Sequence, residues 1–512
     1  MPSGNYGICT NCRQPVPVEH EVRDGQVFLK KHCPDCGPTE ALVSSDAAAW
    51  ERKRLLYRYA PPHGGSCALR CTACSHSQTV RMAFVDVTNH CNMNCPICVA
   101  NVPSMRFEFH PPLIYFEKLF AGLALMDPKP AVHLFGGEPT MRDDLLDIID
   151  LAHRAGLLCL LVTNGLKLAD EDYCRTICEK EVPVLLGFDG TDPEVYRRLR
   201  KNSAACGKKL EALENLKKHS RRRTNILMCC VARNVNDQHI GDLIRLCHEH
   251  RSHIKGLYFL PLVETWVQDE FKTNVTTTIE DVEHIVNEAF PGEPVEFLSL
   301  GLQHYLNPAL GFLRASLAQT FPSVHPNCES ATKLLSDGKR YRPLSHYLKR
   351  PLSEVAVELT LRARELDEKL SRLDPHRSLQ GLYGRLAVLK AFSRPIVRSA
   401  RLDRITRGQP LIAFLRLAGG LLAGKPLGEQ LKKHTLISDG LTLMVLPFEE
   451  IHSLESERLE RCSSAFAYLD PDTEDVRTIP ACAWWLYNTQ ILQQIVARYG
   501  KPQPAASQPV LA

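Results

Sequence analysis

Three cysteines in Asp86-Val-Thr-Asn-His-Cys91-Asn-Met-Asn-Cys95-Pro-Ile-Cys98, at x3 and x2 spacing, close a short apolar run, 83–87. Thiolates so placed on one tight loop offer three corners to a [4Fe-4S] cube, which takes four ligands in all. The fourth iron is then open to a small molecule. At the carboxyl end of a strand, such a loop is the candidate reactive centre, and the rest of the chain has to build a frame around it. The chain carries twenty cysteines, half of them before residue 100 and grouped as CxxC and CxxxCxxC, which points to metal thiolates in a reducing compartment rather than to disulfides.

Two further cysteine groups precede the loop. Cys9-Thr-Asn-Cys12 and Cys33-Pro-Asp-Cys36 are paired knuckles that offer four sulfurs to one tetrahedral site, with Gly37 relieving the second turn. The metal there is zinc or a single rubredoxin-like iron, and with four protein ligands its role is structural. Cys67-Ala-Leu-Arg-Cys71-Thr-Ala-Cys74 repeats the x3, x2 spacing, but it follows the Pro-Pro-His-Gly-Gly turn at 61–65 and has no strand before it. It is therefore read as an auxiliary iron-sulfur site whose fourth ligand lies elsewhere. The competing reading of both groups is ordinary buried cysteine.

From 83 to 262, apolar runs at 83–87, 131–135, 158–162, 182–188, 225–231 and 256–262 alternate with helical stretches at 143–155, 170–180, 210–219 and 239–250. That alternation predicts βα units and a parallel sheet, an α/β fold in the form of a partial (βα)6 TIM-type barrel. Residues following each strand face a common mouth in such a barrel. They include Gly136-Gly137-Glu138-Pro139, Asn164 after the third strand, Asp189 after the fourth, and Arg233-Asn234 after the fifth. The glycines allow close backbone approach to a ligand, and the carbonyls or Glu138 accept from an ammonium group. Asp189 offers a carboxylate to a ribose diol.

The Cys91, Cys95, Cys98 loop after a first strand, with Gly136-Gly137-Glu138-Pro139 after the second, resembles the radical S-adenosylmethionine (SAM) enzymes over roughly 80–265. Ile97 stands where many members carry an aromatic residue. The resemblance implies that Cys91, Cys95 and Cys98 bind the cluster, that SAM chelates its fourth iron, and that the GGEP segment holds the methionine amino group. It also implies a low-potential electron donor of ferredoxin or flavodoxin type. The N-terminal four-cysteine site, the doubled CxxxCxxC, and His325-Pro326-Asn327-Cys328 resemble the group containing tetraether lipid synthase, the class D radical SAM methylases. In that group further cysteines serve auxiliary clusters, which makes Cys328, Cys462 and Cys482 ligands for one or two such [4Fe-4S] clusters.

The expected divisions are a metal-knuckle module at 1–45, a connector with the auxiliary motif at 46–80, the barrel at 81–265, and an auxiliary-cluster region at 266–350. A basic amphipathic helical region follows at 351–435, then a cysteine-containing C-terminal region at 436–498, part of a helical extension, and a disordered tail at 499–512. Between Arg377 and Lys433, twelve Lys and Arg face only Asp403 and Glu429 among apolar residues, a pattern suited to an anionic membrane surface or to a helical hairpin packed on the barrel. A net charge of +4 does not by itself imply a nucleic-acid partner, and the few aromatic residues in the basic region argue against one. No basic n-region with an apolar h-region opens the chain, so a cytoplasmic protein, touching the membrane at most peripherally, is expected. The expected chemistry is hydrogen abstraction from an unactivated carbon followed by carbon-carbon bond formation on lipid alkyl chains. The alternatives are methylation of a pterin-like small molecule and a non-catalytic electron-transfer or scaffold protein.

Overall fold

The computed structural model describes residues 4–56, 79–263, 275–313 and 324–500, together with 67, 69–72, 74 and 273. The turn at 61–65 and the tail beyond residue 500 lie outside the described residues. At the N-terminus, β1 (Tyr6–Ile8), β2 (Pro15–Arg23), β3 (Gln26–Cys33) and β4 (Gly37–Ser44) pair antiparallel in sequence order. Period-two alternation in β3 buries Val27, Leu29, Lys31 and Cys33 on one side. Helix Ala47–Leu56 follows, with Asp46 Oδ1 accepting from the Ala49 N–H at 2.9 Å.

The predicted barrel strands are all present. β5 (Met82–Thr88), β6 (Ala131–Gly136), β7 (Cys159–Thr163), β8 (Val184–Gly187), β9 (Asn225–Val231) and β10 (Ile254–Pro261) lie side by side and parallel. Helices Leu145–Arg154, Glu171–Glu179, Ala205–His219 and Ile240–Glu249 join them, with Leu113–Ala124 and Pro193–Arg200 as two more. Alternation decides which side chains face where. Ala83, Val85, Val87, Val132 and Leu134 pack outward in one core with Leu119, Phe120, Ile148 and Ile149 of the helices. Leu160, Leu185 and Ile226, with Val162, Met228 and Tyr258, form a separate cluster of the alternate strand positions, so the interior is packed rather than hollow.

The sheet does not stop at the sixth strand. Beyond it come β11 (Leu298–Ser299), β12 (Ser330–Ser336), β13 (Tyr341–Pro343), β14 (Gly440–Val445), β15 (Ser464–Leu469) and β16 (Val476–Pro480). β14 pairs parallel with β10 at one edge, and β15 pairs parallel with β5 at the other. Eight parallel strands therefore run from β14 round to β15, flanked by antiparallel β12 and β16. The C-terminal region, expected as a helical extension, supplies β14, β15 and β16 as well as helix. Its run Ser464–Leu469 is buried at every position, as befits a strand covered on both faces. Residues 446–463 then have to cross the seam between β14 and β15, from the carboxyl end of the first to the amino end of the second.

Helices Gln303–Phe312, Leu352–Leu370, Ser378–Ser399 and Pro410–Leu422 build a smaller core around Phe312, Ala363, Val388, Phe392 and Leu421. Their outer faces leave Leu379, Leu411 and Leu415 exposed at 81%, 70% and 60%. Among the described residues, no helix is long and apolar enough to cross a membrane.

Candidate active site

β5 ends in a loop closed on itself by Asn89. The Asn89 N–H donates to Phe109 O at 3.1 Å, its Nδ2 donates to Phe107 O at 2.6 Å, and its Oδ1 accepts from the Phe109 N–H at 2.8 Å. Cys91, Cys95 and Cys98 sit half-buried on this excursion. Burial pushes the Cys91 thiol up to about 12, and Glu138 with the two sister thiols adds to the rise. A group of thiols held this way is protonated until a metal core supplies positive charge, as an iron-sulfur cluster does. Half-buried Arg200 and buried Lys209 lie close enough for their charges to interact with Cys95.

The glycine pair after β6 grips that loop. The Gly137 N–H donates to Thr88 O at 2.7 Å and the Glu138 N–H to His90 O at 2.8 Å, immediately before Cys91. A Cβ at Gly136 would fall 2.4 Å from Thr88 O, and one at Gly137 would fall 2.3 Å from His90 O. Gly136 also has φ near 120°, which a side chain rarely tolerates. The close approach demanded of these glycines is thus to the cluster loop's own backbone.

Two acidic residues expected to meet SAM are engaged elsewhere. Glu138 is buried, and its carboxylate accepts from the Thr140 N–H (3.1 Å), Thr140 Oγ1 (2.7 Å), Thr163 Oγ1 (2.6 Å) and the Asn164 N–H (2.6 Å). Three of the four donors reach Oε1 and one reaches Oε2, so Glu138 ties the strand ends together. Pro139 opens the short turn that Glu138 caps. Asp189 takes Arg200 in a two-pronged ion pair at 2.8 and 3.0 Å and also accepts from the Cys230 N–H at 3.0 Å. Burial would raise its pKa, but Arg200 and these hydrogen bonds hold it below the usual carboxylate range. With both oxygens occupied inside the protein, Asp189 does not offer a free carboxylate to a ribose. Sequence could not show this, because Arg200 lies eleven residues away across a turn and helix.

Asn164 stands where the cluster is expected: its Nδ2 lies 4.0 Å from Cys91 Sγ and donates to Asn92 Oδ1 at 2.7 Å. Arg233 turns outward to Asp281 at 3.3 Å, and exposed Asn234 gives its carbonyl to Arg198.

Beside the loop opens a cavity, with Asn89, Gly136 and Gly137 in one part of its lining and Glu449 and Ala481 in another. Its walls are aromatic: Phe466 stacks on Trp484 at 5.0 Å and 7°, and on Phe84 at 5.2 Å. Asp86 faces in from β5 and accepts from Trp484 Nε1 at 3.0 Å. Burial pushes this carboxyl up to about 7, with the indole hydrogen bond only partly offsetting it. Sequence reasoning assigned no role to Asp86, Glu449 or Trp484. Asp86 was legible as the one acid in an apolar strand; the other two depended on the unforeseen strand β15.

The three auxiliary cysteine groups fall into two types. Cys9, Cys12, Cys33 and Cys36 have sulfurs all within 4.8 Å of one another, with Cys12 and Cys33 at 3.7 Å. A tetrahedral ion with bonds of about 2.3 Å sets its sulfurs about 3.8 Å apart, so this group fits a single zinc or iron ion. Cys67 and Cys71 are buried and Cys74 partly so, each raised in pKa first by burial; Glu460 accepts from the Cys67 N–H, and Tyr487 donates to Leu69 O at 2.8 Å. Cys328, Cys462 and Cys482 are all buried; beyond the effect of burial, Cys462 and Cys482 raise Cys328, and Cys462 raises Cys482.

A parallel-strand barrel whose first loop presents three cysteines to an open mouth, clamped by a glycine pair from the second strand, defines a radical SAM protein. Residues 85–247 match the Radical SAM superfamily, and residues 2–45 match the HMPTM N-terminal zinc ribbon domain. Among curated proteins, the chain is 27% identical to 7,8-dihydro-6-hydroxymethylpterin dimethyltransferase of Methanocaldococcus jannaschii, over 98% of this chain and 96% of that protein. It is also 27% identical to GTP 3′,8-cyclase of Nautilia profundicola, over 41% of this chain and 58% of that protein. Among solved structures, native anSMEcpe with bound AdoMet aligns with a TM-score of 0.35 at 18% identity, covering 48% of this chain and 70% of that one.

Proposed function

We propose that the protein is a radical SAM methyltransferase acting on carbon positions of a reduced pterin. The observation that carries this is similarity to a pterin dimethyltransferase from end to end, zinc ribbon and C-terminal strands included. When bound at Cys91, Cys95 and Cys98, the cluster supplies the electron that cleaves SAM to a 5′-deoxyadenosyl radical. Gly136 and Gly137 fix the loop that bears it, and backbone groups of that segment are left to meet the methionine end of SAM. Asn164, beside Cys91, is a further contact for it. The aromatic wall of Phe135, Phe466 and Trp484 suits a flat heterocycle and keeps water away from a radical. Asp86 supplies a carboxyl to the amino edge of such a ring, where two parallel hydrogen bonds would orient it. Cys67, Cys71 and Cys74, and separately Cys328, Cys462 and Cys482, serve as auxiliary iron-sulfur sites.

A second reading, coupling of lipid alkyl chains, is favoured by the apolar residues Leu379, Leu411 and Leu415 exposed among twelve cations on the helical region. Peripheral contact with an anionic membrane belongs to this reading. One experiment separates the two. In a strain lacking the protein, the pterin pool should lose its methylated forms and regain them with the intact gene but not with Cys91→Ala. If pterins are unchanged and cross-linked lipid chains disappear instead, the pterin reading fails.

A further inference from the structure

Three buried thiols meet at the amino end of β5 and β15, from three separate segments. Cys328 follows the turn in which its own N–H donates to His325 O at 3.0 Å; Cys462 ends the turn before β15; Cys482 lies in the short helix Ala481–Ala483 after β16. Two carboxylates are buried with them. Glu449 is 3% exposed; its Oε1 is ion-paired with Arg458, while Glu449 Oε2 and Glu329 Oε2 have no hydrogen-bond partner among the described residues. Glu449 is joined to the group through its backbone, whose N–H donates to Cys482 Sγ at 3.3 Å. Arg458 is the cation among them, with NH2 3.6 Å from Cys328 Sγ and NH1 3.1 Å from Glu449 Oε1. Lys31 of the ribbon also acts on Glu449, but its ammonium is spent on Ile8 O and Ile451 O.

Buried charges are paired or coordinate metals, and a buried acceptor left unbonded costs about 1–3 kcal/mol. Three potential thiolates and two carboxylates around one guanidinium leave acidic groups in excess, which a cationic iron-sulfur core would balance. Three sulfurs leave such a core one ligand short. Of the two carboxylates, Glu449 is the one that also lines the substrate cavity. We propose that Cys328, Cys462 and Cys482 hold an auxiliary [4Fe-4S] cluster whose fourth ligand is the Glu449 carboxylate, on the cavity wall. This rests on the reading of those three thiols as cluster ligands, and it places a carboxylate, which exchanges more readily than a thiolate, at the iron nearest the substrate.

The test uses the full chain, purified without oxygen, in a Cys91→Ala, Cys95→Ala, Cys98→Ala background that lacks the SAM-binding cluster. Adding Cys328→Ala, Cys462→Ala and Cys482→Ala should remove about four irons and four sulfides per chain. Adding Glu449→Gln alone should leave the protein folded by circular dichroism. On mild ferricyanide oxidation it should lose about one further iron per chain and show a three-iron electron paramagnetic resonance signal above that of the background. Glu449→Cys should abolish that signal, which reports ligation rather than packing. Unchanged iron in the triple cysteine variant would overturn the cluster itself. A Glu449→Gln protein identical to its background, or a signal produced by Glu329→Gln instead, would overturn the ligand assignment. None of these outcomes depends on the identity of the substrate, so a failed pterin assay and a failed ligand assignment are distinguishable.

Discussion

The loops around Cys91 and Cys67 carry the same cysteine spacing, yet the structure attaches them to different things. The Cys91 loop continues a barrel strand and is clamped after β6 by two backbone hydrogen bonds, from Gly137 and Glu138. The Cys67 loop is held by side chains from the far end of the chain, Glu460 and Tyr487. A ligand pattern therefore states that a cluster can bind, whereas the surrounding frame decides whether anything can reach its open iron.

The largest effect expected from breaking this comparison comes from the thiols themselves. Cys91→Ala should reduce 5′-deoxyadenosine formation to the uncatalysed background. Cys67→Ala should spare SAM cleavage while lowering iron content. Equal loss in both, read by liquid chromatography of the nucleoside product, would make the two loops equivalent. Next comes the clamp. Gly137→Ala places a methyl against His90 O and must shift the Cys91 loop, so SAM cleavage should fall about 100-fold, as misplacement of a reacting group by about 1 Å does. The same substitution should leave the metal content of the Cys9 site untouched.

Asp189 sharpens the frame around the active loop. Breaking its pair with Arg200 leaves a buried charge alone, which costs about 3–5 kcal/mol. Asp189→Asn should therefore lower the denaturation midpoint with little change in the KM for SAM. A KM that rises while stability holds would return Asp189 to the ribose. The smallest effect concerns the strand behind the clamp. Burial depresses His133 on β6 to about 4, against an ordinary value near 6.5 in the unfolded chain. The unfolded state then binds a proton that the folded state refuses, so stability falls as pH drops from about 6.5 to about 4 and levels off below. His133→Gln should flatten that part of the denaturation profile; an unchanged slope would mean that the barrel interior is wetter than its packing implies.

Much of this frame was legible from the chain. The six apolar runs became β5 to β10 within a few residues, because period-two burial and intervening amphipathic helices are local signals. The paired knuckles were equally plain. β14 and β15 were not, since each is a short apolar run whose parallel partner, β10 or β5, lies far back in the chain. Nor could spacing show that Glu138 and Asp189 are consumed by internal donors. Both stand at positions that face a barrel mouth, and only Thr140, Thr163 and Arg200 in three dimensions reveal where their oxygens are used.

The seam between β14 and β15 carries a consequence for assembly. Asp86 and Trp484, which share a hydrogen bond in the cavity, are 398 residues apart in the chain. Contacts so remote form late in folding, because chain closure is entropically expensive. During synthesis the barrel can set its first six strands while the reactive loop still faces open solvent. The chamber around it is walled off only when the last strands arrive.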